Sequence, residues 1–117
     1  MKRGEVWTLQ DDRYASKARP VVIVQGCLEG FDSVIVCLFT SFHQEDLADR
    51  IAIEPTGVNG LQKTSYVMVD KLLTVRQREL GHQVGSLNQD EMLRVTQALA
   101  RILAISLKDL PPNYVDK

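Results

Sequence analysis

Arg19 combines a permanent positive charge with a stiff attachment to the chain. It precedes Pro20 and has no carboxylate beside it in the sequence. Pro20 fixes its own φ angle and favours an extended conformation at Arg19, and the Val-Val-Ile-Val run at 21–24 is typical of a strand buried on both faces. A guanidinium held in this way can bind an anion through two parallel hydrogen bonds. The alternative is an ordinary ion pair between Arg19 and an acid, and the residues alone leave both open.

Thr40 and Ser41 supply hydroxyl groups at the end of the next apolar run, residues 34–39. The loop between the two runs carries two glycines and predicts an antiparallel hairpin. In such a hairpin, Arg19 at the entry of one strand lies beside Thr40 at the exit of the other. We therefore predict a phosphate cradle of Arg19 and Thr40, with Gln25 at the far end of the hairpin. The alternative for Thr40 is a hydroxyl that only forms a turn at the strand end.

The elements that position these side chains are mostly strands. A further strand is predicted at 82–84, after five short segments that are rich in β-branched or aromatic residues and are separated by turn residues. These five segments are 5–9, 20–25, 33–39, 50–54 and 66–70. Short strands at this spacing, with few helix signals among them, favour a small curled antiparallel sheet or barrel over alternating strands and helices.

One helix follows the strands. Asn88 and Glu91 form a capping-box pattern, and the apolar stripe after it predicts a helix that packs on the sheet: Met92, Val95, Leu99 and Ile102. We expect this stripe to be core rather than a partner surface. The fold class is therefore mainly β with a C-terminal helix, in one domain at 1–110, and 111–117 is expected to be a loose tail.

Composition and charge exclude several classes of protein. The chain has 117 residues, 44% hydrophobic and 25% charged, as in an ordinary globular domain. Its net charge of −1 gives no general basic field, so affinity for a polyanion must come from local clusters. No apolar run reaches the roughly 18 residues of a membrane span, and the first residues lack a secretory signal. We therefore expect a cytoplasmic protein.

No cofactor and no metal site are predicted. The sequence has no glycine-rich phosphate loop. Cys27 and Cys37 have neither the spacing nor the neighbouring histidines of a zinc or redox site, and we expect both thiols to be buried. His43 and His82 are isolated from each other and from the cysteines.

Four ordered segments and the closing helix closely resemble the MazF/PemK (Kid) family of toxin endoribonucleases. The segments are 3–7, 19–25, the apolar strand that ends in Thr40 and Ser41, and 66–75. The resemblance implies an SH3-like or CcdB-like antiparallel β-barrel with a C-terminal helix and a homodimer. It also implies metal-independent cleavage of single-stranded RNA at short sequences, and an antitoxin partner that occupies the RNA groove.

The resemblance also assigns roles to particular residues. The family's catalytic arginine falls on Arg19 and its catalytic threonine on Thr40. Asp70 falls on an aspartate that takes part in some members, but Met68 stands where those members have an arginine. Lys71 falls where some relatives contact a base.

Cleavage without a metal requires a base for the 2′-hydroxyl, and it gives a 2′,3′-cyclic phosphate and a 5′-hydroxyl. A guanidinium is a poor proton shuttle at neutral pH, so Arg19 is expected to clamp the phosphate while Asp70, or else His43, takes the proton. The alternatives are an ion pair of Asp70 with Arg19 or Lys71, and simple solvation of His43.

Recognition of RNA is expected to fall on the loops. Tyr14 and Lys17 precede the cradle, and Tyr14 either stacks on a base or is a free loop aromatic. Ser41 and His43 complete the predicted RNA-binding set, together with Gln25 and Lys71. Two other functions stay open: a toxin of the same fold that inhibits a protein such as DNA gyrase, as CcdB does, and a non-catalytic binding domain.

Overall fold

The computed structural model describes residues 1–10, 18–43, 49–106 and 108. Within these ranges the chain forms the following elements in order: β1 (Glu5–Leu9), β2 (Arg19–Ile23), β3 (Ser33–Thr40), β4 (Arg50–Ile53), β5 (Ser65–Arg76), a 3₁₀ turn (Gln77–Glu79), β6 (Leu80–Ser86) and α1 (Gln89–Ile102). The predicted tail at 111–117 lies outside the described residues. None of the described helices has the length and apolar character needed to cross a membrane.

The strands form one antiparallel sheet in the order β4-β5-β3-β2-β1-β6. The prediction of a mainly β, antiparallel fold with a C-terminal helix is confirmed. The sheet is not a closed barrel, because β4 and β6 are its two edges. The loop after β4 partly bridges this gap, since the backbone N–H of Ser86 in β6 donates to the carbonyl oxygen of Val58 at 3.0 Å.

β5 extends beyond the predicted strand 66–70, because a bulge interrupts the alternation from which the strand was predicted. Cys37 of β3 pairs with Leu72, whereas the next residue, Leu38, pairs with Met68. Three residues of β5 therefore lie between two consecutive pairs, and the strand resumes beyond them in a new register. Such a bulge bends the sheet and shifts the alternation of side chains, so the second half of the strand does not continue the pattern of the first half.

Apolar side chains pack on both faces of the sheet. Val21 and Val22 are both fully buried, and they belong to different clusters, so β2 is buried on both faces as predicted. The cluster around Val22 includes α1, which begins with the predicted capping box: the Asn88 side chain accepts a hydrogen bond from the N–H of Glu91 at 2.8 Å.

Two predictions of burial are wrong. Val95 and Ala98 are the fully buried residues of α1, whereas Ile102, the last residue of the helix, is 43% exposed. Cys37 is buried in the sheet, but Cys27 is exposed because it lies in the loop between β2 and β3.

Candidate functional site

The β2–β3 hairpin brings Arg19 and Thr40 together. Val21 pairs with Leu38 and Val22 with Cys37, and the same register extended by two residues places Arg19 opposite Thr40. Because side chains alternate along a strand, Arg19 projects from the same face as Val21, and Thr40 from the same face as Leu38. The juxtaposition predicted from the two apolar runs is present.

Both residues line a cleft of about 470 Å³. Its apolar lining is formed by Ala18, Pro20, Phe39, Leu61 and Val84. Its polar lining comes from separate parts of the chain: Thr8, Arg19, Thr40, Ser41, Gln62, Lys63 and Ser65. A concave site in which polar groups converge beside an apolar surface is the usual form of a ligand site.

Positive charge in the cleft is not neutralised by the described part of the chain. The ion pairs among described residues involve Arg50, Lys71 and Arg101, and neither Arg19 nor Lys63 takes part in one. The alternative of an ion pair for Arg19 is therefore not realised within those residues. Two cations without an ion-pair partner in the described ranges, beside hydroxyl and amide groups, suit a polyanionic ligand such as a nucleic acid backbone.

The Thr40 hydroxyl forms a turn hydrogen bond at the end of β3, which is the alternative role considered from the sequence. This bond does not prevent the hydroxyl from also contacting a phosphate. The backbone N–H of Phe42 donates to Oγ1 of Thr40 at 3.1 Å. A hydroxyl can accept one hydrogen bond and still donate its own hydrogen. The turn therefore orients Oγ1 and leaves its hydrogen available to an anion in the cleft.

Tyr66 and His43 form a stacked pair beside Thr40. Tyr66 of β5 lies directly opposite Thr40 in the sheet. The His43 ring lies on the Tyr66 ring, with centroids 4.8 Å apart and planes inclined by 8°. His43 is exposed, yet its ring is held against an aromatic surface instead of being free in solvent. Tyr66 was not singled out from the sequence, because its place next to Thr40 depends on a pairing between distant strands.

Asp70 lies away from the cleft and has a partner that the sequence did not indicate. Nη1 of Arg50 is 2.6 Å from Oδ1 of Asp70, while Nζ of Lys71 is 3.9 Å from Oδ2. Asp70 lies in the bulge of β5, four residues beyond Tyr66, or about 13 Å along an extended strand. Asp70 and Lys71 are not among the residues that line the cleft, and neither are His43 and Tyr66.

Gln25 is also remote from Thr40. Its side chain accepts a hydrogen bond from the N–H of Ile35 at 3.0 Å and donates to the carbonyl oxygen of Cys27 at 2.6 Å. These contacts hold the loop end of the hairpin, about 20 Å along β2 from Arg19. Tyr14 and Lys17, the other two predicted RNA-binding residues, lie outside the described residues.

Four polar residues of the cleft were not predicted from the sequence: Thr8, Gln62, Lys63 and Ser65. Thr8 accepts a hydrogen bond from the N–H of His82 at 3.1 Å, so it joins β1 to β6 at the cleft. Gln62 and Lys63 belong to a loop without a periodic pattern, and nothing in their local sequence indicates a site.

Comparison with known protein families matches most of the chain. Residues 2–103 match the family described as "PemK-like, MazF-like toxin of type II toxin-antitoxin system". The chain belongs to this family. It is 39% identical over 110 residues to the probable endoribonuclease MazF of Mycolicibacterium smegmatis, a match that covers 91% of this chain and 99% of the relative.

Solved structures of toxins have the same fold. An endoribonuclease in complex with its cognate antitoxin, from a mycobacterial species, superposes with a TM-score of 0.77 at 26% identity, over 91% of this chain and 97% of that one. The Mycobacterium tuberculosis toxin MazF-mt6 gives 0.73 at 26% identity, over 87% and 98% of the two chains. MazF from a Deinococcus radiodurans MazE–MazF complex, at 16% identity, shares the fold with a TM-score of 0.73 over 91% and 97%.

Proposed function

We propose that this protein is a toxin endoribonuclease that cleaves single-stranded RNA at short sequences in the cytoplasm, without a metal ion, and that a cognate antitoxin neutralises it. Membership of the PemK-like, MazF-like toxin family supports this function, and the closely matching M. smegmatis relative is named a probable endoribonuclease. The observation that carries the proposal is the position of Arg19, unpaired within the described residues, opposite Thr40 in an open cleft.

The two side chains suit the phosphate of a reacting ribose-phosphate bond. Attack of the 2′-hydroxyl on the adjacent phosphorus places extra negative charge on the non-bridging oxygens. Arg19 donates two hydrogen bonds to these oxygens, and Thr40 donates a third while its oxygen accepts from Phe42. The P–O5′ bond breaks as the new P–O2′ bond forms, and the departing 5′-oxygen takes a proton from solvent, which gives a 2′,3′-cyclic phosphate and a 5′-hydroxyl.

Proton transfer is better assigned to His43 than to Asp70. An imidazole exchanges protons near neutral pH, and the ring of His43 lies against Tyr66, directly beside Thr40 in the sheet. Asp70 lies farther along β5, where Arg50 already occupies its carboxylate. We assign Asp70 the role of ordering β4 against the bulge, and His43 that of the base.

Recognition of the RNA combines charge with stacking. Lys63 adds a second cation to the cleft, and the exposed His43 ring, which lies on the half-buried Tyr66, offers an aromatic surface on which a splayed base can stack. Ser41 lines the cleft next to Thr40 and can donate to a base edge. Lys71 is exposed and lies on β5, as Tyr66 does, so it can contact a nucleotide that flanks the cleavage site.

Assembly as a homodimer would join two such clefts into a longer groove. Ile35 and Leu72 are each 38% exposed and are diagonal neighbours on one face of β3 and β5, which gives a second copy an apolar surface to cover. Light scattering should then report twice the chain mass of 13.2 kDa. A monomer at micromolar concentration that still cleaves RNA would show that the groove is complete in one chain.

A cleavage assay tests the proposed activity. The purified protein, with EDTA present, should cut a mixed single-stranded RNA at discrete sites and leave DNA of the same sequence intact. Arg19→Ala should lower the cleavage rate by about 10³-fold while circular dichroism stays unchanged. Arg78→Ala, which removes an exposed arginine of the 3₁₀ turn, is the matched control and should cut normally. RNA that stays intact at every concentration of the wild-type protein would favour a toxin that acts on a protein target.

A further inference from the structure

Asn59 holds the cleft wall formed by residues 60–63, although this wall contains no strand or helix. Asn59 is fully buried, and its side chain uses all of its hydrogen-bonding capacity. Its oxygen accepts from the N–H groups of Thr56 and Leu61, each at 3.0 Å. Its amide nitrogen donates to the carbonyl oxygen of Glu54 at 2.8 Å and to Oε2 of Glu91 at 3.3 Å.

The bond to Glu91 connects the wall to the start of α1. Glu91 is 7% exposed, and its other carboxylate oxygen, Oε1, accepts from the N–H of Asn88 at 2.8 Å as part of the capping box. A carboxylate in the first turn of a helix is stabilised by the N-terminal end of the helix dipole. One fixed carboxylate therefore serves both the helix cap and the residue that orders the wall.

The opposite side of the wall rests on β6. Gly60 has a φ of +71°, and a Cβ atom built on it would overlap the backbone and side chain of Val84. Close packing of this kind leaves little freedom for the backbone that follows. Further along, the Ser65 hydroxyl donates to the carbonyl oxygen of Lys63 at 3.0 Å. The backbone of the wall is thus held on both sides of Gln62 and Lys63.

We propose that Asn59 is a positioning residue that sets the wall so that Lys63 binds the RNA phosphate next to the one held by Arg19 and Thr40. This inference rests on the proposed RNA-cleaving function. Lys63 lines the same cleft as Arg19, is exposed, and has no carboxylate partner within the described residues. A flexible lysine on a rigid backbone can reach a neighbouring phosphate, but only if the backbone beneath it stays in place.

The salt dependence of RNA binding separates a positioning role from a purely structural one. The probe is a short single-stranded RNA that carries a 2′-deoxyribose at the cleavage position, so that it binds but is not cut. Lys63→Gln removes one phosphate contact and should reduce the slope of log K against log salt concentration by about 0.7. Asn59→Ala should reduce the slope by a similar amount although it changes no charge. The double variant should show no further reduction.

Two more variants keep the test decisive. Glu91→Gln weakens the acceptor for the Asn59 amide and serves if Asn59→Ala does not fold; it should lower the slope in the same direction. Asn88→Ala is the control, because it removes the helix cap without touching Asn59, and it should lower the melting temperature and keep the wild-type slope. A folded Asn59→Ala or Glu91→Gln protein with the wild-type slope, or Lys63→Gln with that slope, would overturn the proposal. In that case the proposed function stands as long as the wild type still cuts RNA and Arg19→Ala cuts it far more slowly.

Discussion

Arg50 and Asp70 form an ion pair across β4 and β5, with 2.6 Å between Nη1 and Oδ1. Arg50 lies directly opposite Met68, the position at which the sequence lacks the arginine found in some family members. A guanidinium from the neighbouring strand thus lies beside the Met68 position. The side chain of Arg50 is only 7% exposed, so this charge depends on its partner.

Loss of the Asp70 carboxylate should therefore lower stability. Asp70→Ala leaves the buried guanidinium of Arg50 unpaired, and we expect a decrease of about 2 kcal/mol in the free energy of unfolding. Asp70→Asn keeps an oxygen acceptor for Arg50 and should cost less than half as much. Urea denaturation of the three proteins measures both values. Equal stability of wild type and Asp70→Ala would mean that the ion pair contributes nothing to the fold.

His43 and Asp70 can be compared as candidate bases with two conservative amide variants. His43→Gln keeps a polar side chain but cannot take up a proton near neutral pH, so kcat should fall by about 10²–10⁴-fold. Asp70→Asn should retain cleavage within about tenfold of the wild type. The comparison needs initial rates on one RNA at saturating substrate. The reverse order of effects would return the role of base to Asp70.

The contact between β6 and the loop that follows β4 can be tested by adding a side chain at a glycine of β6. A Cβ atom on Gly85 would overlap the carbonyl oxygen of Val58 and the backbone of Asn59, so Gly85→Ala should lower the melting temperature by several degrees or prevent folding. Gly57→Ala is the control, because a Cβ there meets no atom within 4 Å. Thermal unfolding by circular dichroism compares them. Equal melting temperatures would show that the loop and β6 are not in contact.

The two cysteines should differ in reactivity and in their effect on how the free energy of unfolding depends on pH. Burial, and to a lesser extent the charge of Asp70, raises the pKa of the Cys37 thiol from 9.0 to about 12. The Cys37 thiol ionises at a lower pH in the unfolded chain than in the folded protein. The stability that the buried neutral thiol contributes is therefore complete below pH 9 and is lost as the pH rises toward 12, by at most about 1.4 kcal/mol per pH unit.

Cys37→Ala should therefore reduce the loss of stability between pH 9 and 11. In the native wild type at pH 8, a thiol reagent should label the exposed Cys27 rapidly and Cys37 only after unfolding. Rapid labelling of both thiols, with an unchanged alkaline slope in Cys37→Ala, would place Cys37 at the surface.

Local sequence was enough to predict the hairpin and the pairing of Arg19 with Thr40. Two apolar runs, a glycine-containing loop between them and polar residues at their outer ends fix both the topology and the register. The helix could also be predicted from local sequence, because the capping box of Asn88 and Glu91 lies within four consecutive residues.

The other side of the site could not be predicted because it depends on contacts between distant parts of the chain. Tyr66 reaches Thr40 through the β3–β5 pairing, and Arg50 reaches Asp70 across a bulge that breaks the alternation of β5. Lys63 reaches the cleft only because Asn59 and β6 hold a loop that has no periodicity of its own. None of these arrangements has a short-range signature.

The central claim is that Arg19 and Thr40 hold the same phosphate, and a double-mutant cycle on single-turnover cleavage tests it most directly. With EDTA present and protein in excess, we predict that Arg19→Ala lowers the rate by about 10³-fold and Thr40→Val by about 10²-fold, while Thr40→Ser stays close to wild type. The double variant should be no more than about tenfold slower than Arg19→Ala alone, because the two groups act on one centre. Effects that multiply fully, or wild-type cleavage by either single variant, would contradict it.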